Sequence, residues 1–254
     1  MTRAILLAVP IVFWMSGVAV AQWSVAAFTG NASTARGDLR VTSSGDDTAV
    51  TLQAVSYDDE SFQSPIYYGG RVTRFFRAVP CLGLEGEFVH LKTITRPDAV
   101  VQADGRLAGQ TVTGPRPLGT VLPRFELSHG LNLILANVVV RFPTRKADAP
   151  GGGPRLAMTG RGGVGPTVPH VEARFQNQDE DGYHVGRAAW HAAIGIEVRL
   201  WGRLHAVSEV KWTTTRQRLQ AAGAGIDGRF RTRHLIAGLS WDLQPTVRSS
   251  SIHP

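Results

Sequence analysis

Apolar and polar residues alternate with a period of two along much of the chain, which is the pattern of β-strands rather than helices. The clearest stretch is 186–200, where apolar side chains take every second position and polar residues or glycine the positions between. Stretches 204–215 and 233–243 repeat this pattern and place tryptophans on the apolar face. One such strand would fit a soluble sandwich equally well, but consecutive long strands of this kind favour a transmembrane barrel.

The connections between these strands alternate in length, which supports the same interpretation. Short links occur at 78–80, 143–154 and 202–203, and long polar links at 31–64, 93–122, 174–184 and 217–228. These boundaries predict eight strands at 22–30, 65–77, 81–92, 123–142, 155–173, 185–201, 204–216 and 229–243. Residues 48–57 also look like a strand, but counting them would reverse the alternation, so we assign them to a hairpin within the first long link.

We therefore predict an all-β protein, an eight-stranded antiparallel transmembrane β-barrel of the outer membrane, with short periplasmic turns and long extracellular loops. The lumen of such a barrel is just wide enough to be filled by its own side chains. Mixed charges at the inward positions are expected to pair, because an unpaired buried charge is very costly. The candidate lumen residues are Arg71, Glu85, Glu87, Arg161, Glu197, Arg199, Glu209, Lys211 and His234.

The first residues of the chain predict export. Thr2 and Arg3 precede an apolar core at 4–18, and Ala19-Val20-Ala21 forms a small-x-small cleavage site. We expect a signal peptide at 1–21, the barrel at 22–243 and a polar C-terminal tail at 244–254. The alternative, an uncleaved anchor helix, is disfavoured because the apolar run is short for a bilayer span.

Charge and cysteine content narrow the function classes. A formal net charge of +7 would suit nucleic acid, but lysine is scarce and the arginines are scattered singly rather than forming a stripe. Anionic lipid headgroups or lipopolysaccharide phosphates are equally suitable partners for a basic surface, and we expect no nucleic-acid partner. Cys81 is the single cysteine, which excludes an intramolecular disulfide or a cysteine-based zinc site. We expect a monomer in the bacterial outer membrane.

Three histidine segments stand apart: FVHLK with His90, SHGLN with His129, and PHVE with His170 and Glu172. They fall on adjacent predicted strands, and a crossing of about 9–11 residues places all three near or above the outer-leaflet interface. Strict alternation places His90 and Lys92 in phase with Leu82, Leu84 and Phe88, His129 in phase with Leu131, Leu133 and Leu135, and His170 and Glu172 in phase with Val164 and Val168. That phase favours the outer wall, although nearby glycines and prolines allow bulges that would turn the cluster inward.

Several of these motifs together resemble a known family. SHGLN followed by Arg141, GGVGPTVPHVE, PIYYGGR and LEGEFVHLK are similar to segments of lipid A oxidase-like outer-membrane barrels, over about 23–243. The resemblance implies oxygen-dependent oxidation of the proximal glucosamine of lipid A to 2-aminogluconate, with hydrogen peroxide as by-product and a divalent-metal requirement. It does not establish which residues are catalytic.

Two functions remain open from the sequence. In the first, His90, His129, His170 and Glu172 form a catalytic site on a divalent redox metal, with Lys92, Tyr68 and Asn132 contacting lipid A or lipopolysaccharide. Histidine with carboxylate suits iron, manganese or copper, whereas zinc would fit the ligands but could not accept electrons. In the second, the barrel is a structural or surface-binding protein and the histidines are interfacial residues without chemistry. A soluble sandwich or lipocalin-like carrier is a third class.

Overall fold

The computed structural model describes residues 23–145 and 155–243, so the predicted signal peptide, most of the 143–154 link and the tail lie outside the described residues. The described strands are Trp23–Thr34 (β1), Gly37–Ser43 (β2), Thr48–Val55 (β3), Tyr57–Asp58 (β4), Tyr68–Phe75 (β5), Leu82–His90 (β6), Thr93–Thr95 (β7), Val100–Leu107 (β8), Gln110–Pro117 (β9), Arg124–Leu127 (β10), Leu131–Arg145 (β11), Leu156–Gly165 (β12), Thr167–Phe175 (β13), Gln178–Tyr183 (β14), Ala189–Trp201 (β15), Leu204–Ala221 (β16) and Ala224–Leu243 (β17).

Eight of these strands close into a barrel. Each pairs antiparallel with the next in the order β1, β5, β6, β11, β12, β15, β16, β17, and β17 pairs back to β1 from Trp23 opposite Leu243 to Thr34 opposite Thr232. The predicted eight-stranded antiparallel barrel is therefore confirmed. Among the described residues, no helix is long and apolar enough to cross a bilayer.

The long connections contain more strand than the sequence predicts. The first holds the hairpin β2–β3, as assigned to residues 48–57, and the second holds β7, β8 and β9. Two predicted strands are each broken in two. The 123–142 strand is interrupted at Gly130, whose φ of 107° suits glycine, and the 155–173 strand is interrupted at Pro166.

The outward faces of the barrel strands are apolar and the inward faces are polar. Along β15, Trp190, Ile194 and Ile196 are exposed, while His191 and Glu197 are buried. Tryptophans and a tyrosine form two aromatic belts on the outer wall. One belt lies at the end of the barrel where β1 begins, and the other lies at the opposite end. The first belt contains Trp23, Trp201 and Trp241, and the second contains Tyr68, Trp190 and Trp212. This arrangement is that of a membrane-spanning barrel, and it excludes the soluble sandwich.

Paired charges fill the lower half of the lumen. Arg71, Arg141, Arg161 and Lys211 contact Glu85, Glu87, Glu197, Glu209 and Asp242. Asn137 adds hydrogen bonds of 2.9 Å to Glu85 and 3.0 Å to Glu87. The predicted ion-pair core is confirmed for its two arginines at 71 and 161, for Lys211 and for the four glutamates, and Arg141 and Asp242 join it. The predicted His234 is buried and forms hydrogen bonds with Tyr67 and Thr213, while Arg199 is only half-buried at the periplasmic edge. These paired side chains fill the lower lumen, so no open pore is expected through this part of the barrel.

The upper half of the barrel has the opposite pattern. There many of the inward side chains are apolar, among them Leu131, Leu133 and Phe230, and they join a hydrophobic core that continues above the membrane. On β17 the outward face changes from Leu235 to Arg233, so polar residues face outward from that height. A second small sheet of β4, β7, β10, β13 and β14 extends the barrel at the end of the long connections, which is the extracellular end in outer-membrane barrels.

An arginine in the middle of the apolar band tests this placement in the bilayer. Ile196 lies on the outer wall between Trp190 and Trp201. We expect Ile196→Arg to destabilise the barrel by about 2–4 kcal/mol in phospholipid vesicles, because a charge there faces hydrocarbon. Urea unfolding followed by tryptophan fluorescence measures the change. The control Val185→Arg lies at a residue that is 90% exposed above the barrel and should leave stability unchanged. Equal losses in both variants would contradict the placement.

Candidate functional site

The predicted histidine segments meet at the extracellular end of the barrel, beside strands β6, β11 and β13. His90 is the last residue of β6, and His129 lies in the turn between β10 and β11. His170 and Glu172 lie on β13, which pairs with β11 through Leu131 opposite Pro169 and with β10 through Glu126 opposite Glu172. The antiparallel pairing of these short strands therefore brings residues that are far apart in the sequence onto one surface.

His129, His170 and Glu172 form the centre of the cluster. Each offers one potential ligand atom, and these atoms all lie within 4.8 Å of one another. The His129 and His170 ring centroids are 4.7 Å apart, and His129 Nδ1 lies 3.1 Å from Glu172 Oε1. The His129 side chain is 58% exposed, whereas that of Glu172 is only 11% exposed. This is a donor set that could hold a metal ion at the surface.

Polar neighbours hold the Glu172 carboxylate in place and in its ionised form. The Ser128 hydroxyl donates a hydrogen bond to it, and the Arg124 guanidinium pairs with it. Burial raises the pKa of Glu172, but the Ser128 hydrogen bond and the positive charge of Arg124 outweigh burial and lower that pKa below its ordinary value. A carboxylate that stays ionised is suited to bind a cation or to accept a proton.

His170 is positioned from the neighbouring strand β14. Its Nε2 atom lies 3.2 Å from Asp181 Oδ1, and its ring meets the Tyr183 ring edge-on at 4.5 Å. These contacts follow from the strand register, which places His170 opposite Tyr183 and Glu172 opposite Asp181. The other ring nitrogen, Nδ1, is buried and has no hydrogen-bond partner in the described part of the chain.

His90 has a similar unpartnered nitrogen. Its Nδ1 donates a hydrogen bond of 2.9 Å to Asn132 Oδ1. The orientation of the Asn132 amide is fixed because its Nδ2 donates a hydrogen bond of 3.0 Å to the Val168 carbonyl oxygen. The His90 ring also stacks on Tyr68 at 4.9 Å. This leaves the lone pair of the neutral ring on Nε2, which is buried without a hydrogen-bond partner among the described residues.

Gly130 connects His90 with the other two histidines. A Cβ atom at this position would lie 2.5 Å from His90 Nδ1, so the backbone packs directly on the imidazole. The Gly130 carbonyl accepts a hydrogen bond of 3.0 Å from the backbone N–H of His170, and His129 precedes it in the chain. His90 therefore borders the cluster, although its nitrogens are not within the 4.8 Å set formed by the other three residues.

The cluster faces outward, but the predicted outward facing of Leu131, Leu133 and Leu135 is wrong. His90, His170 and Glu172 follow the outward phase of Phe88, Val164 and Val168. His129 does not follow an outward phase of Leu131, Leu133 and Leu135, because those leucines point inward into the upper core. The positive φ of Gly130 breaks the alternation and leaves His129 on the surface.

The three residues expected to contact lipid have different environments. Tyr68 is 44% exposed on the outer wall. Lys92 is buried, with its ammonium 3.2 Å from the Ser64 carbonyl oxygen and 3.5 Å from Glu60 Oε2, and Asn132 is buried against His90. Their contacts give Lys92 and Asn132 structural partners within the protein rather than a free face toward lipid.

Arg124, Asp181 and Tyr183 also belong to the site, although they are not among the residues predicted from the sequence. The signal for the last two was available in the segment QNQDEDGY, because a two-residue turn at Gln176 and Asn177 fixes which residues of β14 lie opposite β13. The Arg124 contact has no such local signal, since it depends on the pairing of β10 with β13.

Comparison with known proteins gives matches only at the level of solved structures. No family model and no curated protein matches the chain. Neisserial surface protein A matches with 8% identity over 86% of this chain and 96% of that chain, with a TM-score of 0.38. OprG from Pseudomonas aeruginosa matches with 10% identity over 89% and 95%, at a TM-score of 0.38, and the protease OmpT from Escherichia coli with 10% identity over 87% and 97%, at 0.40.

The class of the protein follows from its own geometry. Eight antiparallel strands close into a barrel with an apolar outer wall, a belt of aromatic residues at each end of that wall, and a charged lumen. Only a bilayer accommodates an apolar band of this kind around a closed barrel. The protein is an eight-stranded β-barrel of the bacterial outer membrane.

Proposed function

We propose that this barrel is a lipid A oxidase, which oxidises the proximal glucosamine of lipid A to 2-aminogluconate with molecular oxygen as the oxidant. The observation that carries the proposal is the convergence of His129, His170 and Glu172 on the outer surface just above the membrane. The sugars of lipid A lie at this height in the outer leaflet. The motifs SHGLN and PHVE, on which the resemblance to lipid A oxidase-like barrels rests, supply these three side chains.

The residues present fit a divalent redox metal. Two imidazoles and one carboxylate are suitable ligands for iron, manganese or copper, and His129, His170 and Glu172 would hold the ion. The buried His170 Nδ1, which has no hydrogen-bond partner among the described residues, fits a bound ion, because burying a polar atom without a partner is costly. A bound redox metal would supply a path for electrons from the sugar to oxygen.

The reaction requires no further co-reactant. The anomeric carbon of the sugar and its hydroxyl group together lose two electrons and two protons, which reduce oxygen to hydrogen peroxide, and water opens the resulting lactone to the acid. Glu172 is ionised and can accept the hydroxyl proton, while Arg124 keeps that carboxylate in place. The exposed His129 ring lies on the side from which the sugar would approach.

The test is lipid A mass spectrometry on purified barrel in vesicles that contain lipid A with a free anomeric hydroxyl. We expect lipid A to gain one oxygen atom in air, with an equal amount of hydrogen peroxide, and to remain unchanged without oxygen or after metal chelation. Lipid A with a phosphate on the anomeric oxygen is the matched control and should not react. If a folded, metal-loaded barrel leaves both lipids unchanged in air, the structural or surface-binding alternative replaces the oxidase.

A further inference from the structure

A row of arginines lies on the outer wall of β17, on the far side of the barrel from the histidine cluster. Arg229, Arg231 and Arg233 take alternate positions, and all three side chains are exposed. Around the barrel, β16 and β17 are the seventh and eighth strands, whereas β6 and β11 are the third and fourth. The arginine row is therefore about half the circumference away from the candidate site.

These three arginines differ from their neighbours because they are not paired. On β16, Arg216 and Arg218 each lie 2.8 Å from a carboxylate oxygen of Asp227. Within the described ranges, no carboxylate lies within ion-pair distance of Arg229, Arg231 or Arg233. Asp38 lines the same surface, but its Oδ1 accepts a hydrogen bond from the Ala54 N–H instead. The row thus carries positive charge that no described carboxylate pairs with directly, although Asp38 and Asp227 lie on the same surface near Arg229.

An apolar groove lies directly beneath the row. It has a volume of about 510 Å³, and its lining includes Trp190, Trp212, Thr214, Arg231 and Arg233. The strand register brings these residues together, since Trp190 lies opposite Thr214, Thr214 opposite Arg231, and Trp212 opposite Arg233. Two indole rings therefore form the apolar part, and two guanidinium groups form its upper edge.

The groove lies at the height of the outer-leaflet interface. Arg233 is eight residues above Trp241 on β17, which corresponds to about 21 Å along the membrane normal at a rise of about 3.4 Å per residue and a tilt of about 40°. The apolar band of such barrels is about 25 Å tall. The indoles thus face the acyl-chain region, and the arginines face the layer of phosphate groups.

We infer that the Trp190–Trp212 groove and the arginine row form a binding site for a phosphorylated glycolipid of the outer leaflet. An acyl chain lies between the indoles, and a sugar phosphate accepts hydrogen bonds from Arg231 and Arg233. Guanidinium groups bind phosphate through two parallel hydrogen bonds, which gives both affinity and orientation. The site is separate from the candidate oxidase site, so the inference does not rest on the proposed function.

Binding of lipid A bisphosphate to purified barrel in phosphatidylcholine nanodiscs tests the site, with bound lipid counted by native mass spectrometry. The double variant Arg231→Gln/Arg233→Gln should bind about thirtyfold more weakly, since each arginine near an anionic membrane surface contributes about a factor of five. The matched control Arg216→Gln/Arg218→Gln removes the same charge from arginines already paired with Asp227 and should change affinity little. Heat-modifiable gel mobility shows that each variant is folded.

Two further measurements define the ligand. Dephosphorylated lipid A, which keeps the acyl chains, should bind the wild-type barrel as weakly as lipid A bisphosphate binds the double variant. Phosphatidylglycerol, which has the charge but not the glycolipid headgroup, should also bind weakly. The inference is overturned if the control variant loses as much affinity as the test variant, or if either probe binds as well as lipid A bisphosphate. His129→Ala should keep this binding, which separates the result from the oxidase test.

Discussion

Single substitutions of His129, His170 and Glu172 are expected to abolish most metal binding and most lipid A oxidation, and the triple variant should lose little more. Their ligand atoms lie within 4.8 Å of one another, so the three side chains would act as a unit. Loss of an outer-shell partner alone costs 10–100-fold, so we expect His129→Ala, His170→Ala and Glu172→Gln each to lose at least about a hundredfold. Calorimetric titration with manganese and lipid A mass spectrometry measure the two effects.

The control for these variants is His184→Ala. His184 also lies in the extracellular part, but its Nε2 is 3.3 Å from Glu180 and it is outside the three-residue cluster. It should bind manganese and oxidise lipid A like the wild type. Independent, additive losses from the three single variants, or an equal loss in His184→Ala, would show that these residues do not share one ion.

Removal of Lys211 is expected to cause the largest loss of stability in the barrel. The Lys211 side chain is fully buried, where it pairs with Glu87 and lies 3.6 Å from Glu209. Lys211→Met leaves Glu87 without its closest cation in the lumen, and breaking a buried pair in this way costs about 3–5 kcal/mol. Urea unfolding in phospholipid vesicles measures the change.

The double variant Lys211→Met/Glu87→Gln distinguishes charge from packing. It removes the unpaired carboxylate but keeps an amide that can contact Asn137, which lies 3.0 Å from Glu87 Oε2. We expect it to recover most of the stability lost in Lys211→Met, because an uncharged lumen pair has no desolvation cost of an isolated ion. A double variant as unstable as the single one would show that the lost side-chain volume, not the charge, is responsible.

The sequence predicts the membrane-spanning part of the fold because the polarity of each residue there indicates whether its side chain faces lipid or the lumen. Ile194 and Ile196 alternate with Glu197 and His191, and the lipid and the lumen enforce that contrast. Above the membrane the alternation continues, but its polarity reverses because the outer wall there is in water. Leu131 and Leu133 therefore point inward, and the same period of two gives the opposite facing.

The candidate site was predictable only in part. His90, His129 and His170 are predicted at one height because strand length fixes depth, and in the structure they lie side by side. Arg124 was not predictable, because its contact depends on the pairing of β10 with β13, which leaves no periodic apolar pattern. Asp181 was predictable in principle, because the two-residue turn before β14 fixes its position opposite Glu172. The burial of Lys92 against Glu60 depends on the fold of the first long connection, which its polar composition does not reveal.

The change of polarity along β17 fixes the position of the barrel along the membrane normal. Below Arg233 the outer face of β17 is apolar, and from Arg233 upward it carries exposed arginines. Sinking by two residues would immerse Arg233 in hydrocarbon, and rising by two would expose Leu235 to water. The outer face of β17, on the opposite wall, thus also sets the height of His129 and Glu172 above the outer leaflet. In a thicker or thinner bilayer, the lipids around the barrel would deform or the barrel would tilt, and the arginines would stay at the interface.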